Sequence, residues 1–263
     1  MGKVVSPMSR VYVTGDCHAE FHKFSTDCFP EQKELTKEDF VIICGDFGGV
    51  WANTNEERWW LNWLSRKRFT TLFVDGNHEN FDRLNGGEFN VVDFHGGKAH
   101  QIRKNIFHLI RGNVYDLCGK KFFAFGGASS HDIRDGILNL EDFADLKELV
   151  KTYNKLTSQG KLLRINHLSW WKEEMPSKEE MEFGLQTLKE HKNKVDFIIS
   201  HCCPQHIASV FSHGVYKPDE LTSYFDKVAE KTKFSKWYFG HYHGDKAVSD
   251  KYIMLYHRIE RIV

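Results

Sequence analysis

Five apolar, strand-like runs in this chain each lead into a short block that contains a potential metal ligand. The ligand is an Asp, Asn or His, and in most blocks a glycine precedes it directly. One such block would carry little information, because Asp and His beside glycine occur in many surface loops. Five of them predict a metal site assembled along one edge of a sheet. The blocks are Gly15-Asp16-Cys17-His18, Gly45-Asp46-Phe47-Gly48-Gly49, Gly76-Asn77-His78-Glu79, Ser200-His201-Cys202-Cys203 and Gly240-His241-Tyr242-His243.

The first third of the chain alternates between apolar runs and helix-like segments. The runs at 10–14, 39–44 and 70–74 are continuous rather than alternating, which is typical of strands buried on both faces. Residues 56–64 carry tryptophans at helical spacing, which we expect to anchor a helix to the core. This β-α-β-α-β order predicts parallel strands with right-handed crossovers. Ligands collect beyond the carboxyl ends of such strands, where the first three blocks lie.

The second part of the chain predicts more strands and two long helices. Short apolar runs between residues 90 and 127 indicate strands that are antiparallel in part, with tight hairpin turns at Gly112-Asn113 and Gly119-Lys120. Helices are predicted over 140–158 and 177–192, the second with a capping box of Ser177 and Glu180. Strand-like runs return at 195–200, 236–239 and 251–256. Two sheets with helices outside fit this order, in one domain (1–263) with a helical insertion at about 135–192.

Composition excludes several classes of function. Lys plus Arg and Asp plus Glu both number 36, so the formal charge is zero, and no long basic run is present. General binding to a nucleic-acid backbone or an anionic membrane is therefore not expected, because it depends on clustered positive charge. The six cysteines form no CxxC pair, which indicates free thiols in a reducing compartment. With no apolar stretch long enough for a signal peptide or a membrane span, a cytoplasmic location is expected.

The residue types in the blocks suit the hydrolysis of phosphate esters. Two divalent cations about 3.5–4 Å apart lower the pKa of bound water and neutralise the phosphoryl oxygens, and they need a carboxylate that bridges them. Asp16 and His18 are two residues apart, so on an extended stretch both side chains reach one ion. Asp46 arrives from the next strand as the natural bridge. The remaining candidates are imidazoles and one amide oxygen, from Asn77, His201, His241 and His243.

The ordered set of Asp-x-His, Gly-Asp, Gly-Asn-His-Glu, His and Gly-His-x-His resembles the calcineurin-like metallophosphoesterase superfamily, in particular its small bacterial and phage members. The matching motifs run from Gly15 to His243. This resemblance implies an α/β fold with four layers, α/β/β/α, and a dimetal site at the strand ends. It also implies one ion held by Asp16, His18, Asp46 and His243, and a second held by Asp46, Asn77, His201 and His241.

The resemblance implies further roles around the metal ligands. His78 would be the catalytic histidine that donates a proton or hydrogen bond to the leaving oxygen. Glu79 would not bind an ion itself but would fix the tautomer of a histidine ligand, which affects metal affinity. The loop Gly126–Arg134 resembles one that in small family members could face an anion, with Arg134 or His131 binding substrate; the alternative is a tight turn after a strand. The pair Trp170-Trp171 is either a lid over the substrate or a plug that anchors a helix.

One departure from the family pattern bears on the substrate. The protein serine/threonine phosphatases continue the second block into an Asp-Arg pair, whereas here Asp46 is followed by Phe47-Gly48-Gly49-Val50-Trp51. A phosphoprotein substrate is therefore not favoured.

The resulting hypothesis is a metal-dependent phosphoesterase for a small phosphorylated substrate, in which hydroxide held by two ions attacks phosphorus. A phosphomonoesterase is preferred over a phosphodiesterase acting on cyclic nucleotides or dinucleotides. A non-catalytic scaffold and a hydrolase of short oligonucleotides are weaker alternatives. Mixed imidazole and carboxylate ligands suit Mn²⁺, which we favour, as well as Fe²⁺ or Zn²⁺.

Overall fold

The computed structural model describes residues 9–263 and places the predicted N-terminal strands side by side in a seven-stranded sheet. Strands β1 (Val11–Thr14), β2 (Phe40–Ile43) and β3 (Thr70–Phe73) are parallel and buried along their whole length, which confirms the interpretation of the continuous apolar runs. The other strands of this sheet are β4 (Asn90–Phe94), β5 (Gly97–Arg103), β6 (Ile106–Leu109) and β15 (Glu260–Arg261). The order is β15-β1-β2-β3-β6-β5-β4.

A second sheet of six strands lies in the order β13-β14-β12-β11-β8-β7. Its centre is parallel, since β11 pairs in parallel with both β8 and β12, and β12 with β14. Its strands are β7 (Asn113–Leu117), β8 (Lys120–Phe125), β11 (Phe197–Ser200), β12 (Lys236–Phe239), β13 (Lys246–Ala247) and β14 (Tyr252–Met254). A separate two-stranded sheet pairs β9 (Ile137–Leu138) with β10 (Arg164–Ile165).

Between residues 9 and 263, six α-helices accompany the sheets. They are α1 (Asn55–Ser65), α2 (Phe81–Leu84), α3 (Leu146–Ser158), α4 (Lys178–Glu190), α5 (Gln205–Ser212) and α6 (Glu220–Lys231). Ser177 and Glu180 form the predicted capping box at the start of α4. The predicted helix 140–158 begins later than expected: a short 3₁₀ turn at Leu140–Asp142 precedes α3, for which Asp145 accepts a hydrogen bond as the N-cap.

Three apolar clusters hold these elements in four layers. The clusters follow from the alternation of side chains along each strand. Ile42 of β2 and Ile199 of β11 meet in the cluster between the two sheets. The next residue in β2, Ile43, faces the opposite way and packs with α1. On the far side of the second sheet, Ile198 packs with α6 residues such as Phe225. The layers are α/β/β/α, as predicted.

Several local predictions need correction. The turn at Gly112 does not close a hairpin, because β6 and β7 lie in different sheets; its backbone carries the chain from one sheet to the other. The second hairpin is confirmed, but its two-residue turn is Cys118-Gly119, both with positive φ, rather than the predicted Gly119-Lys120, because Lys120 already pairs with Leu117 as the first residue of β8. Between β1 and β2 the chain forms two 3₁₀ turns, His22–Phe24 and Pro30–Glu34, rather than the expected α-helix.

Strand β5 was not predicted. Its burial pattern is mixed because it lies near the edge of the first sheet, so it lacks a continuous apolar run. In α1, Trp60 is buried as expected, but Trp59 is 52% exposed and does not anchor the helix.

The predicted insertion at about 135–192 contains β9, β10, α3 and α4. Its last helix, α4, packs on the second sheet through Leu188. The boundaries of this insertion, and the single domain over 1–263, stay predictions. All six cysteines are free, as expected. Within residues 9–263, none of the helices combines the length and the apolar composition needed to cross a membrane.

Candidate metal centre

The candidate ligands meet because five strands end at one edge of the sandwich. Asp16, Asp46 and Asn77 follow β1, β2 and β3, which are neighbours in the first sheet. His201 and His241 follow β11 and β12, which are neighbours in the second sheet. The parallel direction of each group of strands places the five residues together, in agreement with the sequence-based expectation.

One cluster forms around Asp16, which is almost fully buried. Its Oδ2 lies 3.3 Å from Nε2 of His243 and 3.7 Å from Nε2 of His18. The same nitrogen of His18 lies 3.7 Å from Oδ2 of Asp46 and 3.1 Å from Nε2 of His243. Asp16, His18 and His243 therefore form a group that could hold one ion, and Asp46, the fourth residue predicted for this ion, joins the group through its contact with His18.

A second cluster forms around His201, whose side chain is inaccessible to solvent. Its Nε2 lies 3.3 Å from Oδ1 of Asp46 and 3.2 Å from Oδ1 of Asn77. Its Nδ1 lies 2.8 Å from the carbonyl oxygen of Cys44, which orients the ring so that Nε2 faces the cluster. The ring centroid of His241 is 4.9 Å away. These are the residues predicted for the second ion.

Asp46 belongs to both clusters. Its Oδ2 faces His18 and its Oδ1 faces His201, which is the geometry that a bridging carboxylate needs. Burial disfavours the charge on Asp46, yet His201 and the neighbouring histidines outweigh this and hold its pKa well below the usual value. Burial lowers the pKa of His201, but Asp46 and Asp16 raise it to about 10. The buried carboxylates are thus stabilised by nearby positive charge, which divalent cations would supply.

Glycines precede the ligands because the backbones pack tightly here. A Cβ at Gly76 would overlap Oδ1 of Asp46, and a Cβ at Gly240 would overlap Oδ1 of Asp16. Four candidate ligands themselves adopt the left-handed region that non-glycine residues rarely occupy: φ is 48° at His18, 44° at Asp46, 67° at His241 and 49° at His243. Such backbone strain is common at functional sites, where the surrounding fold enforces it.

A buried chain of hydrogen bonds orients Asn77. The side-chain Nδ2 of Asn77 donates to Oγ of Ser130 (3.3 Å), and the Ser130 hydroxyl donates to Oε2 of Glu174 (2.6 Å). The other oxygen of Glu174 accepts from the Ser130 backbone NH at 2.8 Å. Burial raises the pKa of Glu174 to about 7, although the bonds from Ser130 oppose this. These hydrogen bonds hold the Asn77 amide so that its Oδ1 faces His201.

His78 lies beside the cluster that contains His18. Its backbone NH donates to Oδ1 of Asp46 at 2.8 Å, and its ring centroid is 5.3 Å from that of His18. Glu79 is fully buried and accepts from the backbone NH groups of Phe47 (2.7 Å) and Gly48 (3.3 Å). Glu79 therefore supports the backbone after Asp46, rather than a histidine ring.

The two residues considered for substrate binding lie in different surroundings. His131 is at the site, with Nε2 2.9 Å from Nε2 of His241. The side chain of Arg134 is 74% exposed, and its guanidinium lies 3.8 Å from Asp135. In the loop Gly126–Arg134, three backbone NH groups bond within the protein: Gly127 to Asp75, and Ala128 and Ser130 to Glu174. Because these NH groups already have acceptors within the protein, the loop fits the tight turn better than a site whose NH groups face an anion.

Trp171 is a plug rather than a lid. It is 1% exposed, its Nε1 donates to Oδ2 of Asp82 at 2.8 Å, and its ring packs edge-on against Trp51 at 5.2 Å.

Sequence reasoning missed three supporting residues: Ser130, Glu174 and Lys23. The Lys23 ammonium donates to the carbonyl oxygens of Asp16 and Tyr256, both at 2.6 Å, which ties the first block to the C-terminal segment. No sequence pattern identifies these three residues, because their partners lie on other elements of the fold.

Two sequence comparisons relate this chain to known proteins. The sequence profile of the family described as calcineurin-like phosphoesterase matches residues 9–245. Lariat debranching enzyme A of Xenopus laevis is 28% identical over 144 residues, which are 48% of this chain and 25% of that protein. The chain therefore matches about a quarter of the length of this curated relative.

Proposed function

The chain belongs to the calcineurin-like phosphoesterase family, and we propose that it is a dinuclear phosphomonoesterase acting on a small phosphorylated substrate. Metal-dependent hydrolysis of phosphoesters follows from the family and from the acidic and histidine groups that could hold an ion. The observation that carries the dinuclear proposal is the position of Asp46, with one oxygen toward each cluster.

The residues present fit two divalent ions. Carboxylate, amide and imidazole donors suit Mn²⁺, which we propose as the metal, although Fe²⁺ and Zn²⁺ accept the same donors. Two such ions, when bound, activate water as the nucleophile and neutralise charge on the phosphoryl oxygens. We assign to one ion Asp16, His18, Asp46 and His243, and to the other Asp46, Asn77, His201 and His241.

We assign His78 the task of donating a proton or hydrogen bond to the leaving oxygen. Its backbone is tied to Asp46, and a ring nitrogen lies within 4.8 Å of donor atoms of both His18 and Asp46, so the ring reaches the candidate metal site. A histidine this close to the site can donate to the leaving oxygen of a bound ester. His131, beside His241, is the better placed of the two candidate substrate contacts.

A phosphodiesterase that acts on cyclic nucleotides or dinucleotides is the second candidate. The site is open on one side, where the side chains of His18 and His243 are 31% and 51% exposed. This opening leaves room for a second ester group. The likeness to a lariat debranching enzyme is a further reason to test diesters.

Location and partners remain part of the proposal. Six free cysteines fit a reducing compartment, and we propose the cytoplasm. The balanced charge supports a small substrate rather than an extended nucleic acid.

The test is a pair of assays with added Mn²⁺, on 4-nitrophenyl phosphate and bis(4-nitrophenyl) phosphate. Wild type, Asp46→Asn, His78→Ala and the control His191→Ala are compared. We expect the monoester to be cleaved faster, with activity lost in the first two variants and retained in the control.

Faster cleavage of the diester would favour the second candidate. Equal rates in Asp46→Asn, His78→Ala and wild type would refute the assignment. No bound metal in protein purified without chelator would indicate a scaffold.

A further inference from the structure

We propose that a cavity beside His78 binds the alcohol part of the phosphoester, and that it takes an uncharged aromatic or heterocyclic group. The proposal rests on the function proposed above. The cavity has a volume of about 360 Å³, and His18 and His78 are among its lining residues. This volume lies in the range of small-molecule sites, about 300–1,000 Å³.

The position of the cavity indicates which part of the substrate enters it. The phosphoryl group belongs at the metal ligands, and His78 is assigned to the leaving oxygen. The cavity extends from His78 and His18 away from His201 and His241, which are not among its lining residues. The carbon skeleton attached to the leaving oxygen is therefore the part of the ester that continues into it.

The walls of the cavity are aromatic. Trp51, Trp60 and Phe21 line it, together with the backbone of Gly48 and Gly49, so a flat ring system has both faces and edges to pack against. Trp51 belongs to the segment after Asp46 in which the phosphatase Asp-Arg pair is missing. The segment that departs from the phosphatase pattern thus forms a wall of this cavity.

This wall is formed before any ligand binds. One oxygen of the buried Glu57 accepts from the backbone NH groups of Trp51, Ala52 and Asn53, each at 2.9 Å. The Asn80 side chain donates to the carbonyl oxygen of Trp51 at 2.7 Å. Because these bonds hold the backbone on both sides of the indole, little ordering is needed when a ring binds.

The charge around the cavity excludes anionic groups. Glu20 and Glu56 are exposed residues of the lining, and Glu57 is paired with Arg83 at 2.7 Å. Among the described residues that line the cavity there is neither lysine nor arginine. A second phosphate or a carboxylate on the alcohol would meet like charge there.

The experiment compares three phosphate monoesters: 2-naphthyl, methyl and 4-carboxyphenyl. We expect the ratio of kcat/KM for the naphthyl ester to that for the methyl ester to fall about tenfold in Trp51→Ala and to recover in Trp51→Phe. The exposed Trp59 is the matched control, and Trp59→Ala should keep the wild-type ratio. In the double variant Glu20→Gln, Glu56→Gln, the carboxyphenyl ester should gain relative to the naphthyl ester.

Binding of 2-naphthol, followed by its own fluorescence, separates this proposal from the proposed function. If no phosphoester is cleaved but 2-naphthol binds wild type about tenfold more tightly than Trp51→Ala, the cavity proposal survives and the phosphoesterase proposal fails. If esters are cleaved but the naphthyl-to-methyl ratio and 2-naphthol binding are the same in both proteins, the cavity proposal is overturned. Circular dichroism of each variant checks the fold.

Discussion

The backbone NH of His78 donates a 2.8 Å hydrogen bond to Oδ1 of Asp46, the carboxylate shared by the two ligand clusters. This bond couples the residue assigned to the leaving group with the proposed bridge between the ions. Asp46 therefore has a structural task, holding the third block in place, and a charge-dependent task, attracting cations. An Asn at this position keeps an oxygen acceptor for the first task and loses the charge needed for the second.

We expect Asp46→Asn to fold and to lose its response to metal. Saturating Mn²⁺ should stabilise wild type by about 2.7 kcal/mol at a concentration one hundred times Kd. The variant should show almost no stabilisation, because its bridging charge is gone. Thermal unfolding with and without Mn²⁺ measures both effects. Equal shifts in the melting temperature of the two proteins would show that Asp46 does not hold the metal.

The hydrogen bonds that link Glu174 through Ser130 to Asn77 predict that Glu174 controls metal affinity. In Glu174→Gln an amide replaces one carboxylate oxygen and would donate to Ser130 rather than accept from it. The Ser130 hydroxyl would then point toward Asn77, whose amide must flip and turn its NH₂ group toward the metal ligands. We expect metal affinity to fall by about 10- to 100-fold, as is typical for residues that orient a ligand.

Titration with Mn²⁺ followed by calorimetry measures this affinity. Ser130→Ala removes one bond without reversing the chain, so its loss should be smaller than that of Glu174→Gln. Glu173→Gln, at the neighbouring position, is the matched control. A larger loss in Ser130→Ala than in Glu174→Gln would contradict the proposed direction of the hydrogen bonds.

The sequence predicted the parallel strands and the convergence of the ligand blocks, because both depend on local features. Continuous apolar runs identify buried strands, and a ligand directly after each run must lie at the strand end. The supporting residues could not be predicted in this way. Glu174 is 44 residues from Ser130, and only the path of the intervening segment brings its carboxylate to the site.

The position of Trp51 in the cavity wall could not be predicted from the sequence either. The sequence after Asp46 shows that the phosphatase pair is missing, but nothing in it places Trp51. The indole position depends on backbone bonds to Glu57 of α1 and Asn80, on two other parts of the fold. Strand β5 was missed for a related reason, since a strand near a sheet edge tolerates polar residues and carries no clear apolar signal.

The tight packing of the glycines predicts that Gly76→Ala damages the metal centre. Its Cβ would overlap the Asp46 carboxylate, so Asp46 must move away from the ligand geometry. We expect Mn²⁺ affinity to fall together with stability. Gly119→Ala is the control: φ is +72° there and no atom lies within 4 Å of the added Cβ. That variant should lose about 1 kcal/mol of stability from backbone strain alone and keep its metal affinity. Unimpaired metal binding in Gly76→Ala would argue against the rigid packing.

The buried pair Asp75–Arg111 predicts how stability responds to acid. Asp75 accepts from Nη2 of Arg111 at 2.5 Å and lies 3.0 Å from Nε2 of His108. Burial disfavours the Asp75 carboxylate, but Arg111 and His108 outweigh this and hold its pKa well below the usual value. Because the pKa is lower in the folded than in the unfolded protein, the stabilisation is complete above the unfolded value, about 3.9, and is lost as pH falls below it.

Asp75→Asn should therefore be less stable than wild type by about 3–5 kcal/mol near neutral pH. The buried guanidinium of Arg111 then loses its buried counter-charge and keeps only the partly exposed carboxylate of Glu180, 3.3 Å away. The difference should narrow as the pH falls below about 4, because Asp75 of the unfolded wild type then binds a proton while the folded carboxylate, whose pKa is lower, still resists protonation. Urea unfolding across this pH range measures the free energies of both proteins. Asp250→Asn, at an exposed position, should differ little from wild type at any pH. A difference for Asp75→Asn that stays constant down to the acid limit would show that charge pairing with Arg111 is not what stabilises this part of the fold.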